Sequence, residues 1–396
     1  MKNRRSSNPL TLQSSRFIPV NEPLLDGNEK KYLMECIDTG WISSEGPFVR
    51  EFEEHFASRV QRKYGIAVTN GSAALDAAVS ALGIGRGDEV IMPTFTIISC
   101  AAAVVRAGAV PVVVDCDALT WNMDVEKLRN KIQTEIEVNK NKKLKAIMVV
   151  HIYGLPTDMN PILELAAKYN LKIIEDAAEM HGQTCHGKPC GSFGDISTFS
   201  FYPNKQITTG EGGMIVTNDE VLAEKCRSLR NLCFQPQKRF VHEELGWNFR
   251  MTNLQAAVGL AQLERLDEFV VRKRFMGKRY SELLSDTPDM QLPLSHMHYA
   301  ENIYWVYGLV LGDKVPFDAK EAMRRLGEHN IGTRPFFWPM HEQPVFKKMG
   351  LFKNEHHPVA EEIARRGFYI PSGLALTNEQ IEIVAEAVKK VMQGND

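Results

Sequence analysis

Between residues 65 and 216 the chain repeats one pattern. A short, uninterrupted apolar run rich in β-branched residues alternates with a helical stretch. Residues 65–68, 90–92, 110–114, 146–150, 171–174, 196–199 and 214–216 read as strands. Residues 72–82 and 161–169 read as helices, the latter with Pro161 in its first turn. Strands that are apolar throughout, rather than alternating, are covered on both faces, and parallel neighbours need crossovers long enough to hold a helix. The pattern therefore predicts an α/β fold built on a mainly parallel central sheet clad by helices. In such sheets ligands sit beyond the carboxyl ends of the strands, which makes the residues after each strand the first candidates for chemistry.

From about residue 255 the pattern changes. A long amphipathic helix is predicted to about residue 284, a strand over 303–311 and a helix over 320–330. The last helix opens with Thr377-Asn378-Glu379-Gln380, the spacing of a capping box, and sets Ile381, Val384, Val388 and Val391 on one face. The expected organisation is an unstructured tail over 1–16, an N-terminal segment with a large domain over 17–254, and a smaller α+β domain over 255–396. The polar, Lys-rich stretch 135–145 reads as a solvated insertion.

Composition removes several classes. Lys+Arg is 47 and Asp+Glu is 49, a net charge of -2, with no basic stripe to hold nucleic acid. No apolar run approaches the ~20 residues that cross a bilayer. Residues 1–7 are basic and Ser-rich, without the apolar stretch of a secretory signal. The seven cysteines are odd in number, widely spread and free of any C-x-x-C pair. That favours reduced thiols in the cytoplasm over a disulfide framework or a zinc site, and no metal is expected. Cys185 and Cys190 flank a turn at His186–Gly187; a redox pair there is the less favoured reading.

Three strand-end segments carry chemistry. After residues 65–68 comes Thr69-Asn70-Gly71-Ser72-Ala73-Ala74, a small-residue turn into a helix. Its free N–H groups and helix dipole would suit a phosphate, although taken alone a plain Ser N-cap after a Gly turn explains it better. After residues 171–174 comes Glu175-Asp176-Ala177-Ala178-Glu179, where Asp176 either serves a ligand or caps the next helix. After residues 196–199 comes Ser200-Phe201-Tyr202-Pro203-Asn204-Lys205, then Thr208-Thr209-Gly210-Glu211-Gly212-Gly213. A lone lysine among aromatic and small residues points to a packed pocket, where desolvation lowers the amine's pKa and makes it nucleophilic. One cofactor uses all three pieces. Pyridoxal phosphate needs a lysine for its Schiff base, an anion for its pyridinium nitrogen and a cradle for its phosphate. Lys205, Asp176 and the helix start at Gly71, Ser72 and Ala73 supply them, with the Ser200 hydroxyl as a further phosphate donor.

These segments resemble those of a known family. Residues 200–205 with Thr209-Gly210-Glu211-Gly212-Gly213 are similar to the lysine motif of the DegT/DnrJ/EryC1/StrS nucleotide-sugar aminotransferases. Glu175-Asp176-Ala177-Ala178, Gly40-Trp41-Ile42-Ser43 with Gly46-Pro47, and Asn248-Phe249-Arg250-Met251-Thr252 resemble its other signatures, so the resemblance covers about residues 18–392. It implies a type I, aspartate-aminotransferase-like fold working as a homodimer. By the family pattern Lys205 is the Schiff-base lysine, Asp176 protonates the ring nitrogen, and Ser72, Ala73 and Ser200 bind the phosphate with Asn248 from the partner subunit. Glu179 falls beside the cofactor's 3-hydroxyl, where many members carry Gln. Ile97 falls where members often place an aromatic ring over the cofactor. His151, Tyr153, Arg250, Arg334 and His341 would surround the sugar or the amino donor, and Lys238 with Arg239 would clamp a diphosphate.

The implied reaction moves an amino group from L-glutamate to a nucleotide-linked 4-keto-6-deoxy sugar, with pyridoxamine phosphate as the intermediate form of the cofactor. His151-Ile152-Tyr153-Gly154, Lys238-Arg239-Phe240 with His242, and Arg334-Pro335-Phe336-Phe337 resemble the branch using a GDP-linked 4-keto-6-deoxy-D-mannose. A dTDP- or UDP-4-keto-6-deoxyglucose is the alternative. Dehydratases of the same family carry histidine in place of the lysine, and Lys205 argues against that reading.

Overall fold

The computed structural model describes residues 17–394 apart from Pro236, so the expected tail over 1–16 lies outside the described residues. The strands in chain order are β1 (Tyr64–Val68), β2 (Glu89–Pro93), β3 (Val110–Val114), β4 (Leu144–Val150), β5 (Lys172–Asp176), β6 (Thr184–Cys185), β7 (Lys188–Pro189), β8 (Ile196–Ser200) and β9 (Gly213–Thr217). They continue with β10 (Met290–Gln291), β11 (His296–Met297), β12 (Ala300–Glu301), β13 (Tyr307–Leu311), β14 (Arg334–Pro335) and β15 (Gly367–Ile370). The helices are α1 (Glu29–Thr39), α2 (Pro47–Arg59), α3 (Gly71–Ala81), α4 (Ile98–Arg106), α5 (Val125–Gln133), α6 (Met159–Tyr169) and α7 (Glu220–Arg230). After these come α8 (Asn253–Leu263), α9 (Leu266–Leu284), α10 (Ala319–Glu328), α11 (Pro344–Lys348), α12 (Pro358–Arg366) and α13 (Asn378–Gln393).

The central sheet has seven strands in the order β1-β9-β8-β5-β4-β2-β3. Neighbours from β8 through β5, β4 and β2 to β3 pair in parallel, and β9 alone runs against both β8 and β1. Apolar cores line both faces, as uninterrupted apolar strands require. A four-stranded sheet, β10-β13-β15-β14, packs a third core against α9, α10 and α13. The capping box at α13 is present: the Thr377 hydroxyl accepts from Gln380 N, and the Gln380 side chain accepts from Thr377 N. Ile381, Val384, Val388 and Val391 are all buried.

Three expectations are corrected, and a fourth gains detail. The long helix from 255 to 284 is two helices, α8 and α9, broken at Glu264 and Arg265. Glu264 accepts from Asn28 and Tyr32, and Arg265 pairs with Asp26. The chain turns there because α8 packs on α1 and α2 while α9 packs on α13. The stretch 135–145 is solvated as expected, with Leu144 alone buried, and it is also tethered: Thr134–Val138 extends α5 as a π-helical turn, Glu137 accepts from Tyr169, Asn141 reaches Glu89, and Leu144 already belongs to β4. The strand over 303–311 starts at Tyr307. The helix start after β1 is capped by Asn70 rather than by Ser72, with Ala73 N donating to the Asn70 side chain at 2.8 Å. The turn at His186–Gly187 is the tip of the β6–β7 hairpin, with φ of 48° and 74° at the two residues. Cys185 and Cys190 beside it are free and buried, as are the other five cysteines.

Candidate active site

Because β1, β2, β4, β5 and β8 all point one way, their carboxyl ends meet along one edge of the sheet. There they line a cavity of about 550 Å³. Asp176 ends β5 at the cavity floor and is 2% exposed. Its carboxylate accepts from the Cys100 thiol at 3.2 Å and from Ala178 N at 3.0 Å. Burial pushes its pKa up.

Lys205 rises from the loop between β8 and β9. Phe201 pins both ends of that loop, donating to Gly212 O and accepting from Thr208 Oγ1 and Thr209 N. The Lys205 amine lies 3.8 Å from Glu179 Oε1 and 3.8 Å from the centroid of the Trp305 ring. Trp305 is held there by its indole N–H, which donates to Asn204 O at 2.7 Å. Burial lowers the pKa of Lys205 and raises that of Glu179 to about 8. Both shifts favour a neutral amine beside a neutral carboxylic acid, the state in which the amine is a nucleophile. Glu179 is fixed in place by Tyr153 N, which donates to it at 2.6 Å.

Two helices start at the cavity mouth. Gly71 and Ser72 open α3, and Ile97 is the N-cap of α4. The Ser72 and Ser99 hydroxyls are 2.7 Å apart, so the positive ends of both helix dipoles converge with their hydroxyls. Ser200 completes this end, and a Cβ on Gly71 would lie 2.8 Å from its Cβ. A phosphate fits such a cradle, an anionic Asp176 fits a protonated ring nitrogen, and Lys205 lies in the same cavity. The residues present suit pyridoxal phosphate.

The sequence-predicted residues divide plainly. Lys205, Asp176, Glu179, Gly71, Ser72, Ser200, Ile97 and His151 line the cavity. Ala73 does not line it; its N–H is taken by the Asn70 cap. Ile97 sits at the rim, 42% exposed. His151 presents its ring only, because both nitrogens are engaged: Nδ1 accepts from Thr157 N at 3.1 Å, which leaves Nε2–H to donate to Glu175 at 3.2 Å. Glu175 is wholly buried, and burial alone would raise its pKa. The bond from His151 and those from Gly191 and Phe193 hold it below the usual range.

The remaining residues lie outside the cavity lining of this chain. Tyr153 is buried in an aromatic cluster, its hydroxyl accepting from Phe337 N. His341 is buried between Thr94 and Glu361, at 2.8 and 2.9 Å. Arg250 bonds Asn231 and lines a separate recess with Arg227 and Arg230. Lys238, Asn248 and Arg334 are exposed.

The sequence reading missed the aromatic wall of Trp305, Phe337 and Tyr369, the Cys100 donor to Asp176, and Ser99. Ser99 was within reach, since it follows β2 as Ser72 follows β1. Trp305 had no local signal, because only the tertiary fold brings it over Lys205.

Comparison with known proteins agrees with this geometry. The model of the DegT/DnrJ/EryC1/StrS aminotransferase family matches residues 23–389. The chain is 41% identical to GDP-perosamine synthase of Escherichia coli O157:H7, over 95% of this chain and 98% of that protein. It is 43% identical to GDP-perosamine synthase of Caulobacter vibrioides, again over 95% and 98%. The aminotransferase TlmJ from Streptoalloteichus hindustanus superposes with a TM-score of 0.86 at 28% identity, covering 95% of this chain and 99% of that one. With the lysine, the strand-end aspartate and the twin helix starts on one edge of a mainly parallel sheet, the chain belongs to the DegT/DnrJ/EryC1/StrS aminotransferase family.

Proposed function

We propose that the protein is a pyridoxal-phosphate-dependent aminotransferase that converts GDP-4-keto-6-deoxy-D-mannose to GDP-perosamine, with L-glutamate as amino donor. The observation that carries the reading is the buried Lys205 amine, shifted toward its neutral form, in one cavity with Asp176. The choice of sugar is supported by relatives at 40–43% identity that bear the name GDP-perosamine synthase.

When bound, pyridoxal phosphate supplies an electron sink for the carbon that loses its proton. The protein's part comes from its own groups. Asp176 would hold a proton on the ring nitrogen. Gly71, Ser72 and Ser200 would hold the phosphate. Lys205, as the neutral amine in that cavity, would take the proton from the donor's α-carbon as a general base and give it back as a general acid. Trp305, Phe337 and Tyr369 would limit water on their side of the cavity. Glutamate takes up one water and leaves as 2-oxoglutarate, and its amino group ends on C4 of the sugar in place of the keto oxygen, which leaves as water.

Asn248 is exposed on the segment that follows Asn231. We assign it, with Arg250 and Lys238, to a site completed across a homodimer. The test is purified protein with glutamate and a panel of nucleotide keto-sugars, read by mass spectrometry. GDP-4-amino-4,6-dideoxymannose should form with the parent chain and not with Lys205→Ala. Turnover confined to dTDP- or UDP-linked sugars would replace the substrate, and full activity of Lys205→Ala would end the proposal.

A further inference from the structure

Away from the cavity, three separated segments bring metal-binding side chains together. Asp158 is the N-cap of α6, Cys185 and His186 lie at the β6–β7 hairpin, and His298 lies in the β11–β12 turn. His186 Nε2 is 2.8 Å from Asp158 Oδ1, and His298 Nε2 is 3.7 Å from Asp158 Oδ2. The ligand atoms of Asp158, Cys185 and His186 all lie within 4.8 Å of one another. Both histidine rings pack on Tyr299, and His186 N donates to Tyr299 O at 2.7 Å, so the two hairpin turns are locked side by side.

We propose that Asp158, Cys185, His186 and His298 bind one divalent transition-metal ion of the zinc type. A thiolate, two imidazoles and a carboxylate make a borderline-soft, four-membered set, the composition that tetrahedral zinc takes. Zinc–ligand bonds of about 2.0–2.3 Å place ligand atoms about 3.3–3.7 Å apart. The 2.8 Å His186–Asp158 contact must open slightly and the other separations close by side-chain rotation. As the S–Zn bond forms, the Cys185 thiol gives its proton to solvent, and the two imidazoles bind through their neutral nitrogens. Exposure rises from the buried Cys185 through Asp158 and His186, at 21% and 28% of their side chains, to His298 at 72%. The ion thus has an entry path and an anchored inner ligand.

Two other clusters of potential ligands are poorer. In His151, Glu175 and Cys190 the carboxylate is already saturated by backbone and Ser197 donors. In His341, Glu342 and Glu361 an arginine, Arg365, is bonded to Glu342, and both ring nitrogens of His341 are engaged. No arginine or lysine pairs with Asp158 among the described residues.

The site would staple the start of α6 to both hairpins. It also touches the cofactor floor at one remove. Thr157, next to Asp158, donates the N–H that fixes the His151 ring, and its carbonyl lies 3.6 Å from the Cys185 sulfur.

The experiment uses the full chain with its cofactor, stripped of metal by a chelator and titrated with Zn(II) and, separately, Co(II). The expected result is one Zn(II) per chain and an intense tetrahedral Co(II) spectrum with a sulfur charge-transfer band. His298→Ala alters an exposed side chain and should keep the fold, yet weaken Zn(II) binding by about tenfold or more. Cys185→Ser should remove the sulfur band, and His356→Ala, at an exposed histidine elsewhere, should change neither. Absence of stoichiometric Zn(II) uptake, a weak octahedral Co(II) spectrum, or binding indifferent to both His298→Ala and Cys185→Ser would overturn the proposal.

Discussion

Lys205 and Asp176 were legible because one follows a strand within a few residues and the other ends one, so the rule that ligands gather at strand ends reaches them directly. Two glycines show how closely the surrounding backbone is fitted. A Cβ on Gly154, where φ is +109°, would lie 2.6 Å from the backbone nitrogens of both Tyr304 and Trp305. Gly154→Ala should therefore cost about 2–4 kcal/mol in urea unfolding, from left-handed strain and overpacking together. It should also displace Trp305 from Lys205. Gly71→Ala presses on Ser200 at the phosphate end. Overpacking of that kind costs about 1–3 kcal/mol. Placed on the bound state, it should raise the cofactor's dissociation constant about tenfold, as equilibrium dialysis would read.

At the scale of elements, the ends of α13 were readable and the break between α8 and α9 was not. A capping box is written in four consecutive residues, whereas the break depends on Asp26, Asn28 and Tyr32, more than two hundred positions away. Thr377→Ala should lower stability by about 1 kcal/mol, seen as an earlier thermal midpoint. Helix α9 carries a buried lysine that no local pattern flagged. Lys273 donates to Trp305 O at 2.9 Å and to Ser372 O, tying α9 to the end of the small sheet where β13 starts and β15 finishes. Burial lowers its pKa from 10.5 to about 7. Between these values the unfolded chain holds a proton that the folded chain lacks, so this group adds stability as pH rises from 7 toward 10.5 and penalises folding below 7. In chemical denaturation from about pH 7 to 10, Lys273→Met should flatten the slope of stability by up to about 1.4 kcal/mol per pH unit. An unchanged slope would show that Lys273 stays charged when buried.

The whole molecule depends on joints between the two sheets that alternating patterns cannot reveal. Phe336, beside β14, packs on Phe95, Trp121 and Tyr153 from the loops of the large sheet. Asp115, just past β3, accepts from the backbone of Val359 and Ala360 and so caps α12. Phe336→Ala should cost about 3–5 kcal/mol by transfer and cavity terms. Calorimetry should then show the two sheets melting less cooperatively. The strands of the large sheet were readable from their apolar runs. Their order was not, and neither was the reversal of β9, because direction is decided by what connects two strands. The connection from β8 to β9 is closed at its neck by the bond from Phe201 N to Gly212 O, so β9 re-enters beside the end of β8 and runs back along it.

That reversal has a mechanical consequence for the lysine. Since β9 runs back between β1 and β8, the segment bearing Lys205 leaves and re-enters the sheet at the same edge, with Phe201 bonded across its neck. It is a closed lariat of set circumference, and the reactive amine rides on it as a bead that cannot slide. Inserting even a few residues between Tyr202 and Glu211 would enlarge the noose and let the amine wander from its partners. An insertion of equal length elsewhere on the surface would leave the noose untouched.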